Sequence, residues 1–270
     1  MTNDLHAVAS QYCECRVLAD DYESNLLRVA KNCQRPDCIN TYLKSRLTQV
    51  SARTVRNERD MLLILLRWGR QHNLIDSLPP EIVKIRVQKE PTKAWTLGQA
   101  CTVVKRTSVH VGKKMKSGAD RGEFLRCWTL LAWETGARWG DLWKLRDKHF
   151  DGPLLRYSQN KTCNPINTVL TPTCTAAVNA MLAKSPDGTV LRWACGKRWA
   201  MRLMKQLVGD CGVDGTSKWF RRSAATQIEI ERPGQARLFL GHKSVGMCEK
   251  HYLDWSQIRK DIPRPPPLLE

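Results

Sequence analysis

Apolar positions recur at helical spacing through the first quarter of the chain. Tyr42, Leu43, Leu47 and Val50 follow one such rhythm. After Ser51, Val55, Met61, Leu62, Leu65, Leu66 and Trp68 mark the inner side of a longer helix from Ala52 to about Gln71. Arg53, Arg56 and Arg59 fall on the outward side of its first half. Residues 1–78 therefore read as a small helical domain, stopped at Ser77-Leu-Pro-Pro80. Residues 79–95, with Pro91 and the cations Lys84, Arg86, Lys89 and Lys93, read as an extended basic linker.

A second domain, 96–256, opens with Thr96 as the N-cap of a helix through Val104. The polar stretch from Val111 to Gly118 reads as an exposed loop. Phe124 to Trp133 is apolar enough for a helix buried on most sides. Gly136 then offers a tight turn that leaves Arg138 at the start of a following helix, where an anion is attracted by both dipole and guanidinium. Leu154–Tyr157 and Asn167–Leu170 flank a turn-rich centre carrying Lys161, the pattern of a β-hairpin. Thr173–Leu182 and Gly196–Val208 are helical, the latter mixing Arg198, Arg202 and Lys205 with Trp199 and Leu203. Lys218 and Arg221, three apart on a helix, share a face. A Leu240-Gly-His242 turn precedes a short helix ending at Tyr252, with Val245, Met247 and Leu253 expected to hold it in place. Residues 257–270, containing Pro263-Arg-Pro-Pro-Pro267, read as a proline-rich tail.

Charge narrows the partner. The 270 residues carry 44 Lys and Arg against 26 Asp and Glu, a formal net charge of +18. Such an excess suits a polyanion, whose condensed counterions are released on binding. Eleven scattered cysteines and no basic-then-apolar leader point to a reducing intracellular setting, cytoplasmic or nucleoid-associated. Cys13, Cys15, Cys33 and Cys38 could offer zinc four thiolates, but lack the usual knuckle spacing and read better as free thiols. The longest apolar run, Met61–Leu66, is too short for a bilayer. No phosphate-cradling Gly-x-x-x-x-Gly-Lys loop and no acidic cluster suited to paired metals occur, so neither cofactor nor metal is expected.

In chain order the candidate chemistry is Arg138, Lys161, Lys218, Arg221, His242 and Tyr252. Guanidiniums can clamp non-bridging phosphate oxygens, a lysine can protonate a leaving oxygen, and a phenol can attack phosphorus.

These residues sit in motifs that resemble the tyrosine recombinases, or phage-type integrases. Thr135-Gly-Ala-Arg138-Trp-Gly-Asp141-Leu is similar to that family's first-arginine box, Thr-Gly-x-Arg-x-x-Glu-Leu. Lys218-Trp-Phe-Arg221 is similar to its His-x-x-Arg box, and Leu240-Gly-His242 with His251-Tyr252 to its nucleophile region. The resemblance implies a mainly α protein: a helical core-binding domain and a mostly helical catalytic domain with a small β-sheet, forming a C-shaped clamp on double-stranded DNA. It implies that Arg138 and Arg221 bind the scissile phosphate, with Lys161 as general acid and His242 as a further hydrogen-bond donor. Tyr252 becomes the nucleophile that forms a 3′-phosphotyrosine, and Asp141 stands behind the first arginine. Four protomers on two duplexes are needed for strand exchange. Two departures stand out: Lys218 replaces the usual histidine, leaving the base for Tyr252 open, and Asp141 replaces glutamate. The alternative is a non-catalytic DNA-binding relative that keeps the clamp without cleavage.

Overall fold

The computed structural model describes residues 4–76, 78–79, 81–88, 90–242 and 244–258. The chain divides into two compact units, Met1–Glu90 and Pro91–Glu270. Ser77, Pro80 and Lys89, and the tail from residue 259 onward, lie outside the described residues.

The first unit holds α1 (Leu5–Glu14), α2 (Asp20–Cys33), α3 (Ile39–Leu47) and α4 (Ala52–Gln71). Ser51 caps α4, its hydroxyl accepting from the Thr54 amide at 3.3 Å. Leu5, Leu26, Ile39, Leu43, Leu62 and Leu65 are fully buried in one core, each worth about 1.5–3 kcal/mol of transfer free energy. Leu47 falls outside it, exposed where α3 ends, while Val50 beyond it packs against the core. Of the three arginines expected to face outward, Arg53 and Arg56 do. Arg59 turns back, and its Nε donates to the Val83 carbonyl at 2.8 Å. Asn40 brackets the same extended stretch, accepting from Val83 N and donating to Glu81 O. Residues 81–88 are thus fastened to the first unit, with Ile82, Val83 and Ile85 against its core.

One charge sits inside this bundle. Glu58, 2 % exposed, accepts from Arg46 at 3.0 Å, Arg28 at 3.1 Å and Tyr42 at 2.9 Å, tying α2, α3 and α4 together. Burial pushes its pKa up, but hydrogen bonds from Arg46, Arg28 and Tyr42 outweigh that and hold it below 4.5.

The second unit opens with α5 (Leu97–Arg106), begun by a full capping box between Thr96 and Gln99. The loop after it is exposed from Val111 to Gly118 but for one inward residue. Met115 is buried, and Asp120 accepts from Gly112, Gly122 and Glu123 amides, closing the loop onto the next helix. Then follow α6 (Arg121–Thr135), α7 (Trp139–Leu142), β1 (Phe150–Asp151), β2 (Leu154–Ser158) and β3 (Pro165–Val169). After the sheet come α8 (Pro172–Leu182), α9 (Lys197–Gly209), α10 (Ser217–Glu231), α11 (Ala236–Phe239), α12 (Val245–Tyr252) and α13 (Trp255–Ile258).

The strands form one antiparallel sheet in sequence order, with Tyr157 opposite Ile166 and Ser158 opposite Pro165. The second hairpin strand starts two residues earlier than its β-branched pattern suggests. Proline can open a strand, because the amide it lacks is not needed there. The two-residue β1 had no pattern long enough to reveal it. Buried α6 runs through the core with Trp95, Phe124, Trp128, Leu131 and Phe220 fully packed. Among the described residues no helix is long and apolar enough to cross a membrane.

Replacing Glu58 by Gln should cost about 2–3 kcal/mol at pH 7, since it leaves cations without their buried partner. The lowered pKa makes this contribution full above about pH 4.5 and lost as pH falls through the folded value. Urea unfolding of the two proteins should therefore converge in acid. A gap that stays constant from neutral pH into strong acid would contradict the ion cluster.

Candidate active site

Four segments of the second unit converge: the turn after α6, the β2–β3 hairpin, α10 and the stretch from Leu240 to Tyr252. The first is set by aromatic packing. Trp128 of α6 stacks on Trp139 with ring centroids 3.8 Å apart, and Trp139 meets Trp143 at 4.9 Å. That ladder lays α7 against α6, with Arg138 as its N-cap. The link is Gly136, left-handed at φ 55°, where a Cβ would lie 2.5 Å from the Phe239 ring. Only glycine fits that approach.

Arg221 is the centre. It projects from α10, and the whole residue is 5 % exposed. Its Nη1 donates to the Gly136 carbonyl, and its Nη2 donates to Leu240 O at 3.2 Å and to His242 Nε2 at 3.0 Å. Its Nε is buried without a hydrogen-bond partner among the described residues. The guanidinium lies over the Tyr252 ring, 4.8 Å from the centroid, a cation–π contact. Burial lowers its pKa; Tyr252 opposes the shift and Arg138 adds to it.

His242 packs against Tyr252 with ring centroids 4.8 Å apart. Burial first, then Arg221, Arg138 and His251, push its pKa from 6.5 down to about 4. A neutral imidazole that accepts from Arg221 at Nε2 must carry its proton on Nδ1. Nδ1 is buried and has no partner among the described residues, so its proton is an unspent donor.

Arg138 donates from Nη1 to Gln159 Oε1 at 2.9 Å and lies 4.0 Å from Asp141 Oδ2. Asp141 does stand behind the arginine, and its other oxygen accepts from the Asn160 amide at 2.9 Å. Tyr252 ends α12, whose position is fixed beyond it. Asp254 accepts from Ala94 N, Ser256 and Gln257, and its own amide donates to Thr226 of α10. The residues packing α12 are Cys248 and Leu253; Val245 and Met247, expected to do so, are exposed. Those two fall on the outer face of the helix, and the i, i+4 pair of Cys248 and Tyr252 faces inward instead.

Arg138, Arg221, His242 and Tyr252 thus belong to one cluster. The two lysines do not join it by contact. Lys161 is exposed in the hairpin turn, and Lys218 is exposed on the first turn of α10 while Arg221, one turn on, is buried. No hydrogen bond or ion pair holds either among the described residues. Gln159, Asp254 and Thr226 escaped the motif-based reading. Gln159 left a signal, because Leu155, Tyr157 and Gln159 continue the inward alternation of a strand. Among the described residues, no group of three or more His, Cys, Asp or Glu could hold a metal ion, the four N-terminal cysteines included.

No family model matches the chain, and no curated protein matches it. Solved structures do. A lambda integrase dimer bound to a COC′ core site aligns over 97 % of this chain and 79 % of its own, at TM-score 0.76 and 16 % identity. The Tn1549 transposon integrase in complex with a circular intermediate DNA covers 92 % and 95 %, at TM-score 0.69 and 14 % identity. XerH recombinase bound to its difH substrate covers 90 % and 80 %, at TM-score 0.67 and 12 % identity.

The chain has the tyrosine-recombinase fold. Within that fold, the helical units and the small antiparallel sheet are the expected architecture. The cluster around Arg221 lies in the second unit, on the turn, hairpin and helices just described.

The depressed His242 pKa has a readable consequence. Between pH 6.5 and about 4 the unfolded chain binds a proton at this site that the folded chain refuses, so stability falls as pH drops through that window. In an NMR titration the His242 ring protons should stay at their neutral shifts from pH 8 to 5.5. A midpoint near 6.5 would contradict the buried placement beside Arg221.

Proposed function

We propose that this chain is a DNA strand-exchange enzyme that cleaves and rejoins double-stranded DNA through a 3′-phosphotyrosyl intermediate on Tyr252. The observation that carries the reading is Arg221. A buried cation normally has an anionic partner, since desolvating a lone charge is costly. The hydrogen-bond partners of Arg221 among the described residues are two carbonyls and an imidazole, none of them charged. A scissile phosphate would supply the missing charge, with Arg138 and the His242 Nδ1 proton as its further donors.

In the first step Tyr252 Oη bonds to phosphorus and the bond to the 5′ oxygen breaks. Negative charge grows on the non-bridging oxygens, where Arg138, Arg221 and His242 offset it. Lys161, at the hairpin turn, protonates the departing 5′ oxygen. The phenol proton passes to a base at position 218 or to water. Reversal by a different 5′ hydroxyl rejoins the strands, so bond energy is conserved and the chemistry calls on no nucleotide or metal. Domains 1–78 and 96–256 with their basic linker are assigned to duplex grip and catalysis, and exchange takes a tetramer on two duplexes. The lambda integrase tetramer bound to a Holliday junction supports that last point by likeness, at TM-score 0.72 and 16 % identity. An intracellular integrase or resolvase, carried by a mobile element, fits this chemistry.

A second reading draws on the two exposed lysines: a DNA-binding relative that has the phosphate pocket without cleavage. The experiment separates them. A pool of nicked duplexes with a randomised core is incubated with the protein, and covalent adducts are recovered under denaturing conditions and sequenced. The proposal expects adducts, their loss in Tyr252→Phe, and slow cleavage in Lys161→Ala restored by a 5′-bridging phosphorothiolate, whose sulfur leaves unprotonated. Salt-sensitive binding with no adduct would establish the second reading; adducts persisting in Tyr252→Phe would overturn the nucleophile. Lys218→His should retain or raise cleavage, and a complete loss would show that lysine is specifically required.

A further inference from the structure

Among the described residues, the Gln159 side chain is the polar group that touches the first arginine, the lysine turn and the Leu-Gly-His bend together. It is 1 % exposed. Its Oε1 accepts from Arg138 Nη1 at 2.9 Å and from Thr162 Oγ1 at 2.8 Å. Its Nε2 donates to the Leu240 carbonyl at 3.0 Å, and that carbonyl also accepts from Arg221 Nη2 at 3.2 Å. The amide orientation is forced: turned over, it would set NH2 against a guanidinium and oxygen against a carbonyl. Its backbone closes the hairpin as well, with Gln159 N donating to Asn164 O and Gln159 O accepting from Cys163 N. The bend beyond Leu240 passes so near that a Cβ at Gly241, left-handed at φ 64°, would lie 3.2 Å from Gln159 Nε2 and 2.6 Å from Ile166 Cδ1.

We propose that Gln159 is a positioning residue that couples the two arginines to the hairpin turn bearing Lys161. It holds Arg138 directly and Arg221 through the shared Leu240 carbonyl, while Thr162 sets the turn one residue beyond the lysine. A neutral amide suits this place and a carboxylate does not. Glutamate would keep the acceptor for Arg138 but lose the donor to Leu240, and its charge would compete with phosphate for the guanidinium. Leucine would fill similar space but leave Arg138 and the Leu240 carbonyl each short of a buried partner. The geometry therefore makes Gln159 a junction between phosphate binding and proton delivery, two functions that a simple packing residue would not link.

The inference rests on the cleavage chemistry proposed above, and the test keeps the two apart. Single-turnover cleavage is measured on the nicked duplex recovered from the randomised pool, with a normal phosphate and with a 5′-bridging phosphorothiolate, alongside the dissociation constant for the uncleaved duplex. For Gln159→Leu, cleavage of the phosphate should fall about 100-fold, as expected for misplaced catalytic groups, with affinity within about threefold. The phosphorothiolate should restore part of that loss, the part due to the lysine turn. Thr162→Val, at an exposed position that cannot unfold the core, should lose about tenfold and recover fully with the phosphorothiolate. Normal cleavage by both variants would overturn the inference while leaving the nucleophile assignment standing. A loss in Thr162→Val that the phosphorothiolate fails to restore would overturn the link to proton delivery, even if Gln159→Leu cannot be folded. No adduct from the unaltered protein would overturn this inference and the cleavage chemistry together.

Discussion

A buried guanidinium whose hydrogen-bond partners among the described residues are all uncharged is the constraint on which the second unit depends. Arg221 is held by the Gly136 and Leu240 carbonyls and by the His242 ring. Each partner demands something of the chain that carries it. Gly136 must turn left-handed against the Phe239 ring; the bend at Gly241 must pass the Gln159 amide; His242 must stay neutral to accept. The buried segment of α10 from Phe220 to Thr226 supplies the walls. Removing Arg221 would leave the Gly136 carbonyl and the His242 ring without its donation, and the Leu240 carbonyl to Gln159 Nε2.

The helical packing serves this centre from two sides. The stacked tryptophans of α6 and α7 determine where Arg138 starts its helix. Asp254, with its bonds to Ala94, Ser256, Gln257 and Thr226, anchors the chain just past Tyr252. Between those supports Arg138 meets Arg221, His242 and Tyr252, which follow it 83 to 114 residues later in sequence. The first unit solves a different electrostatic problem. There Glu58 is buried with its cations already in place, so the ion cluster is satisfied internally and asks for no ligand.

Residues whose chemistry is local were legible in the sequence. Arg138 after a helix-ending glycine, Arg221 within a helix, and Leu240-Gly-His242 before a short helix lie on the elements that local spacing predicts. The long α4 helix and its Ser51 cap follow from apolar spacing alone. What spacing could not reveal is long-range closure. Gln159 is meaningful only because Arg138 and Leu240 lie beside it, 21 and 81 residues away. Asp254 matters because Ala94 lies across from it, 160 residues back. Arg59 read as an outward cation because helical period cannot foresee the extended stretch at Val83 that captures it. The lysines show the converse. Lys161 and Lys218 sit in recognisable positions, yet their side chains are exposed, because nothing negative among the described residues draws them in.

The central claim is that a phosphate completes the Arg221 cluster and Tyr252 attacks it. The most direct measurement is mass spectrometry of the peptide containing Tyr252 after a nicked duplex has reacted and the attached DNA has been digested. The account predicts a nucleotide joined through a 3′-phosphate to the Tyr252 oxygen. A nucleotide found on any other residue, or a Tyr252 peptide that remains unmodified while DNA is cleaved, would contradict it.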